Sequence, residues 1–69
     1  MKVPATLHVL RGRSRSSMIA ASVDDAIQVA VVGEAAGDFT AVEITDWTGR
    51  RLEGSALRVE ICRRLALRE

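Results

Sequence analysis

The sequence predicts one small, mostly β domain over residues 1–69. In an alternative form of this prediction, the domain also has a short C-terminal helix. A chain of 69 residues is about the size of a single small domain, near the lower limit for one core. Apolar residues make up 48%, too many for a disordered chain, but ten of them are Ala, so the predicted core is thin. Several segments are rich in β-branched residues, as strands prefer.

The first third of the chain predicts one strand and one loop. Residues 6–10 are compatible with a short strand, and the polar, arginine-rich residues 11–17 with a loop. Residues 18–23 are apolar without a clear period. Asp24 and Asp25 then indicate a turn.

Residues 27–32 favour a strand, because Ile27, Val29 and Val31 alternate with other residues and β-branched side chains dominate. The competing interpretation is a helix at 22–32, in which Ser22 is the N-cap. That alternative makes the protein an α+β domain. In either case the residues from Gly33 to Gly37 are interpreted as a connecting loop, with Gly33 as a candidate helix cap.

The clearest local pattern is the segment from Phe39 to Glu53, which predicts a hairpin. In its first half, residues 39, 41, 43 and 45 would share one face of a strand and residues 40, 42, 44 and 46 the other face. Strand propensity is high throughout this half. Residues 48–50 then make a plausible tight turn. Trp47 is interpreted as a cover for the core.

Residues 57–68 fit two structures. The alternation of Leu57, Val59 and Ile61 favours a strand, whereas the spacing of four between Leu57, Ile61 and Leu65 favours a helix. A strand that passes into a short C-terminal helix would satisfy both patterns.

Cysteine content and hydropathy predict a cytoplasmic protein without a membrane segment. The single Cys62 has no partner for an internal disulfide, which indicates a reducing compartment. The apolar run near the N-terminus is too short for a signal peptide, and no stretch approaches the roughly 18 apolar residues that span a bilayer.

Charge is strongly segregated along the chain. Residues 1–23 carry +4, residues 24–46 carry −6 and residues 47–69 carry +3, which together give the net charge of +1. Such segregation predicts either separate basic and acidic faces or an interleaving of the two signs on folding.

The residue types argue against an enzyme and against a bound cofactor or metal. The chain has one His, one Cys and no Tyr, and His8 in a predicted strand is interpreted as a solvent-facing side chain. A structural zinc site needs four ligands, of which Cys and His here supply two. Residues 33–37 lack the Lys and Ser or Thr of a phosphate-binding loop.

Arginine is the chemically distinctive residue, with nine copies against one Lys. Its planar guanidinium binds phosphates through two hydrogen bonds and stacks on bases. Solvated arginines on a small domain also need no ligand, and the two aromatic residues offer a sparse stacking platform. The candidate nucleic-acid-binding residues are Arg11, Arg13, Arg15, Arg50 and Arg51.

A set of short motifs lies within residues 12–54: Gly12-Arg13-Ser14, Val23-Asp24, Gly37-Asp38-Phe39, Val42-Glu43-Ile44-Thr45-Asp46 and Leu52-Glu53-Gly54. Together they resemble the TRAM domain, most closely the C-terminal TRAM domain of radical-SAM methylthiotransferases. The resemblance implies a five-stranded antiparallel barrel similar to an OB-fold, which binds RNA or docks a ribosomal substrate. The family residues that carry over are mostly structural: Gly12, Arg13, Ser14, Asp24, Gly37, Asp38, Phe39, Leu52 and Gly54.

Three functional hypotheses follow. The first is a non-catalytic module that binds RNA or a ribosomal component through an arginine-rich face. The second is a protein-interaction or self-assembling domain, in which the acidic middle of one copy meets the basic ends of another. The third is a truncated remnant of a methylthiotransferase C-terminal domain.

Overall fold

The computed structural model describes residues 3–67, which form an open four-stranded antiparallel sheet with two helices packed against one face. The order of the strands across the sheet is β2-β1-β3-β4. The elements along the chain are β1 (Ala5–Arg11), β2 (Ser14–Ala20), α1 (Val23–Ala36), β3 (Thr40–Asp46), β4 (Arg51–Glu53) and α2 (Gly54–Leu67).

The first two strands form a hairpin that the sequence did not predict. β1 confirms the strand at 6–10, but residues 14–17 belong to β2, so the predicted loop at 11–17 is wrong beyond the turn. Arg11 pairs with Ser14 across a two-residue turn, and Gly12 takes a positive φ of 59° there. β2 lacks a hydrophobic alternation because it is an edge strand and most of its residues are exposed.

Residues 23–36 form a helix, so the predicted strand at 27–32 is wrong and the alternative helix at 22–32 is confirmed. The Ser22 side chain accepts a hydrogen bond from the Asp25 amide at 3.2 Å, which caps the first turn. Gly37, with a φ of 76°, ends the helix. Gly33 is therefore helical, and the loop predicted from Gly33 is wrong except at its last residue.

The hairpin predicted at 39–53 is confirmed as β3 and β4. β3 also pairs with β1, and the register shifts between His8 and Val9. In a regular strand, residues three apart point to opposite faces. The irregularity brings Ala41 and Ile44 to the same face, where both are buried. The strict alternation predicted for this strand is interrupted there.

α2 starts directly after β4 and replaces the strand expected at its beginning. Leu57 and Ile61 are buried and Leu65 packs against the core. The spacing of four was therefore the correct signal, and the alternation was coincidental. Cys62 is exposed on this helix.

The predicted five-stranded barrel is wrong, whereas the antiparallel sheet and the alternative α+β class are confirmed. The segments at 23–36 and 54–67 are helices, and they cover one face of the sheet instead of extending it. The edge strands β2 and β4 therefore stay apart. Within residues 3–67, no helix has the length and apolar character needed to cross a membrane.

Glu34 joins α1, α2 and β3 at the edge of the core. Its carboxylate accepts hydrogen bonds from both terminal nitrogens of Arg58, at 2.8 and 2.5 Å, and from the Ala41 amide at 2.7 Å. The same guanidinium donates to the Ala41 carbonyl at 3.1 Å. The Arg58 hydrogen bonds hold the pKa of Glu34 below its ordinary value of 4.5, although burial acts in the opposite direction.

Candidate functional site

The candidate arginines lie at two opposite ends of the sheet. Leu10 pairs with Thr40 at one end of the β1–β3 ladder, and Ala5 pairs with Asp46 at the other. The β1–β2 turn, with Arg11, Arg13 and Arg15, extends the first end. The β3–β4 turn, with Arg50 and Arg51, extends the second, about 17 Å away along the strands.

The same arginines also lie on different faces. Successive side chains of a strand point to opposite faces, and Leu7 faces the helices. Arg15 and Arg51 therefore lie on the open face, whereas Arg11 lies on the helix side, with its guanidinium carbon 5.8 Å from the centroid of the Phe39 ring. The structure does not bring the five arginines together on one face.

The centre of the open face of the sheet is polar and carries acidic side chains. His8 Nδ1 lies 3.0 Å from Ser17 Oγ, and His8 Nε2 lies 3.9 Å from a carboxylate oxygen of Glu43. Glu43 lies 3.6 Å from Arg51 Nε and pairs across the strands with Glu53. His8 thus lies on the solvent side of the sheet, as predicted, and the two carboxylates disfavour a polyanion at the centre of this face.

Within residues 3–67, β2 pairs only with β1, so its other edge is free over its whole length. In a hairpin with a two-residue turn, the residue pair beside the turn exchanges hydrogen bonds, and bonded and non-bonded pairs then alternate. The register from Arg11 and Ser14 therefore directs the backbone groups of Arg15, Ser17 and Ile19 away from β1. Such a row of backbone donors and acceptors is able to pair with another strand.

The opposite edge of the sheet, formed by β4, offers far fewer backbone groups for pairing. β4 has three residues and continues directly into α2. Short edge strands and adjoining helices are common protections against pairing. β2 is therefore the edge available to a partner.

An apolar groove lies on the outer side of α1, the helix that packs on β1, β2 and β3. Its centre consists of Val29, Val32 and the Phe39 ring, with Gly33 beneath the ring and Asp38 at the rim. Val29 is 40% exposed and Val32 47% exposed. The groove is open, with a volume of about 300 Å³, at the lower end of the range for ligand cavities.

The β3–β4 turn is held by one carboxylate. Asp46 Oδ1 accepts hydrogen bonds from the Thr48 hydroxyl at 2.6 Å, the Thr48 amide at 2.9 Å and the Arg50 amide at 2.9 Å. The Thr48 hydrogen bond is the main cause that lowers the pKa of Asp46. Trp47, which the sequence placed over the core, is 67% exposed on this turn.

Asp46→Ala is expected to loosen the turn, because three donors lose their shared acceptor. Hydrogen exchange of the Arg50 amide should accelerate by about tenfold, the ratio that one lost hydrogen bond typically produces. Asp46→Asn, which keeps the acceptor oxygen, should exchange at close to the original rate. Equal acceleration in both variants would show that the charge, and not the acceptor geometry, orders the turn.

The sequence interpretation missed β2 and the groove on α1. The signal for β2 was Gly12 followed by Arg13 directly after the predicted strand at 6–10, a weak hairpin signature. The signal for the groove was the pair Val29 and Val32, which becomes an exposed helical surface only when 23–36 is interpreted as a helix.

No family model, no curated protein and no solved structure matches this chain. Among residues 3–67, no group of three or more His, Cys, Asp and Glu side chains is arranged to hold a metal ion. The resemblance to the TRAM domain therefore stays a prediction. A proposal for the function of the chain is based instead on the surfaces of the α+β domain.

Proposed function

We propose that this chain is a non-catalytic protein-interaction module that binds an extended segment of a partner protein along β2. The observation that supports this is the free edge of β2, a seven-residue strand that pairs on one side only in the described part of the chain. Addition of a strand to such an edge supplies main-chain hydrogen bonds, and alternate side chains supply specificity.

The charges beside the edge select an acidic partner. Arg11, Arg13 and Arg15 surround the β1–β2 turn, and no Asp or Glu occurs before Asp24. Positive charge at one end of the edge accelerates encounter with an acidic segment and disfavours a basic one. Two β2 edges of separate copies would bring these like charges together in a parallel pair, whereas an antiparallel pair would keep them at opposite ends.

A peptide titration followed by NMR tests the proposal. The probe is a nine-residue, end-blocked peptide in which Glu alternates with Val, and its control is the same peptide with Lys in place of Glu. The acidic peptide should shift the amide signals of Arg15, Ser17 and Ile19, with an affinity that falls as salt is added. Absence of shifts in β2 at millimolar peptide would contradict the proposal.

Ser17→Pro removes one outward-facing amide donor without removing a bond to β1, so the sheet should persist. We expect it to weaken binding of the acidic peptide at least tenfold. Ser16→Ala is the matched control, because the Ser16 backbone pairs inward with Val9. Circular dichroism establishes that both variants are folded, and equal binding by both would count against pairing at the edge.

The second candidate is binding of RNA or a ribosomal component. It is favoured by the exposed Trp47 on an ordered turn next to Arg50, since an aromatic ring beside a guanidinium can stack on bases. Single-stranded RNA should then quench Trp47 fluorescence in a salt-sensitive manner. Quenching that persists unchanged in Arg13→Glu and Arg50→Glu would exclude this candidate.

A further inference from the structure

The lining of the groove consists of residues of α1 and of Asp38 and Phe39, and the side chains that β2 turns toward the helices explain why β2 does not close it. The side chains of β2 that face the helices are Ser14, Ser16, Met18 and Ala20, as their pairing with the helix-facing side of β1 shows. Met18 and Ala20 pack against the core, whereas the two serines are exposed. Large apolar residues are thus absent from the half of β2 next to the hairpin turn.

α1 brings its exposed valines to the same half of the domain. The helix starts after the far end of β2 and ends at Gly37, just before β3 begins beside the hairpin end of β1. Val29 lies at the middle of the helix and Val32 in its second half, and Phe39 follows its cap. The apolar groove and the exposed serines of β2 therefore lie toward the same end of the sheet.

A strand added to β2 would extend the sheet over this groove. Neighbouring strands lie about 4.8 Å apart, and every second side chain points to the helix side. Those side chains would meet Val29, Val32 and the Phe39 ring. The remaining side chains would lie on the open face, level with Arg15 and Ser17.

The charges around the groove indicate which residues of the bound segment would flank its apolar side chains. Arg11 lies over the Phe39 ring and Arg15 lies on the open face. Asp38 lines the groove itself, whereas Arg11 borders it on the helix side and Arg15 lies at the same end of β2 on the open face. An acidic residue adjacent to an apolar anchor would therefore be attracted to this end of the edge.

We infer that the groove formed by Val29, Val32 and Phe39 is a specificity pocket for a branched apolar side chain of the bound segment, which carries an acidic residue next to that side chain. This inference rests on the proposed function and names the partner: an extended acidic segment in which Leu, Ile or Val occupies every second position. The groove is open and has a volume of about 300 Å³, which suits one or two such side chains.

The test compares three end-blocked nine-residue peptides of alternating sequence, Glu with Leu, Glu with Val and Glu with Ser. Both the backbone amides of β2 and the methyl groups of Val29 and Val32 are observed by NMR. The Leu peptide should bind at least tenfold more tightly than the Ser peptide and shift both sets of signals. Val32→Glu should abolish this preference, while Val59→Glu, at an exposed position of α2, should retain it.

Three results would overturn the inference, and they are distinguishable. If all three peptides shifted the β2 amide signals equally and left the valine methyl signals unchanged, the specificity pocket would be contradicted but the proposed function would not. Shifts of the valine methyls without the β2 amides would remove the proposed function. Dimerisation of the free chain through the same residues, seen by sedimentation at increasing concentration, would make the occupant a second copy.

Discussion

Glu34→Gln is expected to lower the free energy of unfolding by about 2 kcal/mol. The substitution removes a charge that accepts two hydrogen bonds from Arg58 and one from the Ala41 amide, and it turns an amide donor toward the guanidinium. Breaking a fully buried pair costs about 3–5 kcal/mol. The smaller figure applies because the Arg58 side chain is 42% exposed and therefore screened by solvent.

The effect should depend on pH in a defined direction. Because the pKa of Glu34 is lowered in the folded state, its contribution is fully present above the unfolded value of 4.5 and is lost as the pH falls through the folded value. The difference in stability between the wild type and Glu34→Gln should therefore be constant near neutrality and shrink below pH 4.5. Urea unfolding at a series of pH values measures this difference.

Glu60→Gln is the matched control for Glu34. Glu60 forms an ion pair with Arg63 one turn along α2, at 3.4 Å, and the Arg63 side chain is 63% exposed. Such surface pairs contribute about 0.5 kcal/mol or less. If the two substitutions destabilised the domain equally, the junction of α1, α2 and β3 would not depend on Glu34.

Gly33→Ala is expected to destabilise the domain by about 1–2 kcal/mol, although Gly→Ala in a helix normally stabilises by about 1 kcal/mol. A Cβ at this position would overlap Cζ and Cε2 of the Phe39 ring. The ring would have to leave its place against the helix, and both its packing and its contact with Arg11 would be lost. Denaturant unfolding gives the sign of the change.

A double-mutant cycle identifies the cause. In a Phe39→Leu background the methyl group introduced by Gly33→Ala would meet a smaller side chain, so the substitution should become neutral or stabilising. Ala35→Gly, at an exposed position of the same helix, should show the ordinary loss of about 1 kcal/mol. Stabilisation by Gly33→Ala in the wild-type background would mean that the ring relaxes without loss.

The elements that the sequence predicted well are those whose signals are local. The hairpin at 39–53 follows from a run of β-branched residues and a tight turn, and both lie within one segment. The cap at Ser22 is likewise a local contact. The sequence favoured a strand for part of α1 because β-branched residues alternate there, whereas the buried set also includes Ala26 and Ala30, at helical spacing.

The candidate site was largely beyond prediction because it depends on contacts between distant segments. The pairing of β1 with β3 places the β1–β2 turn and the β3–β4 turn at opposite ends of the sheet. Arg13 and Arg50 are separated for this reason, and no local pattern reports it. The exposed edge of β2 follows from the order of the strands, which the residues of β2 do not encode.

The sequence by itself determined the antiparallel hairpin at 39–53, and it predicted a single small domain with residue types that disfavour catalysis. Short-range physics suffices for these properties, since turn residues and strand propensity act over a few positions. Only the tertiary structure decided that 23–36 and 54–67 are helices, that the sheet stays open and that β2 is its free edge. Those outcomes depend on which apolar faces are buried together, a choice made by the whole core.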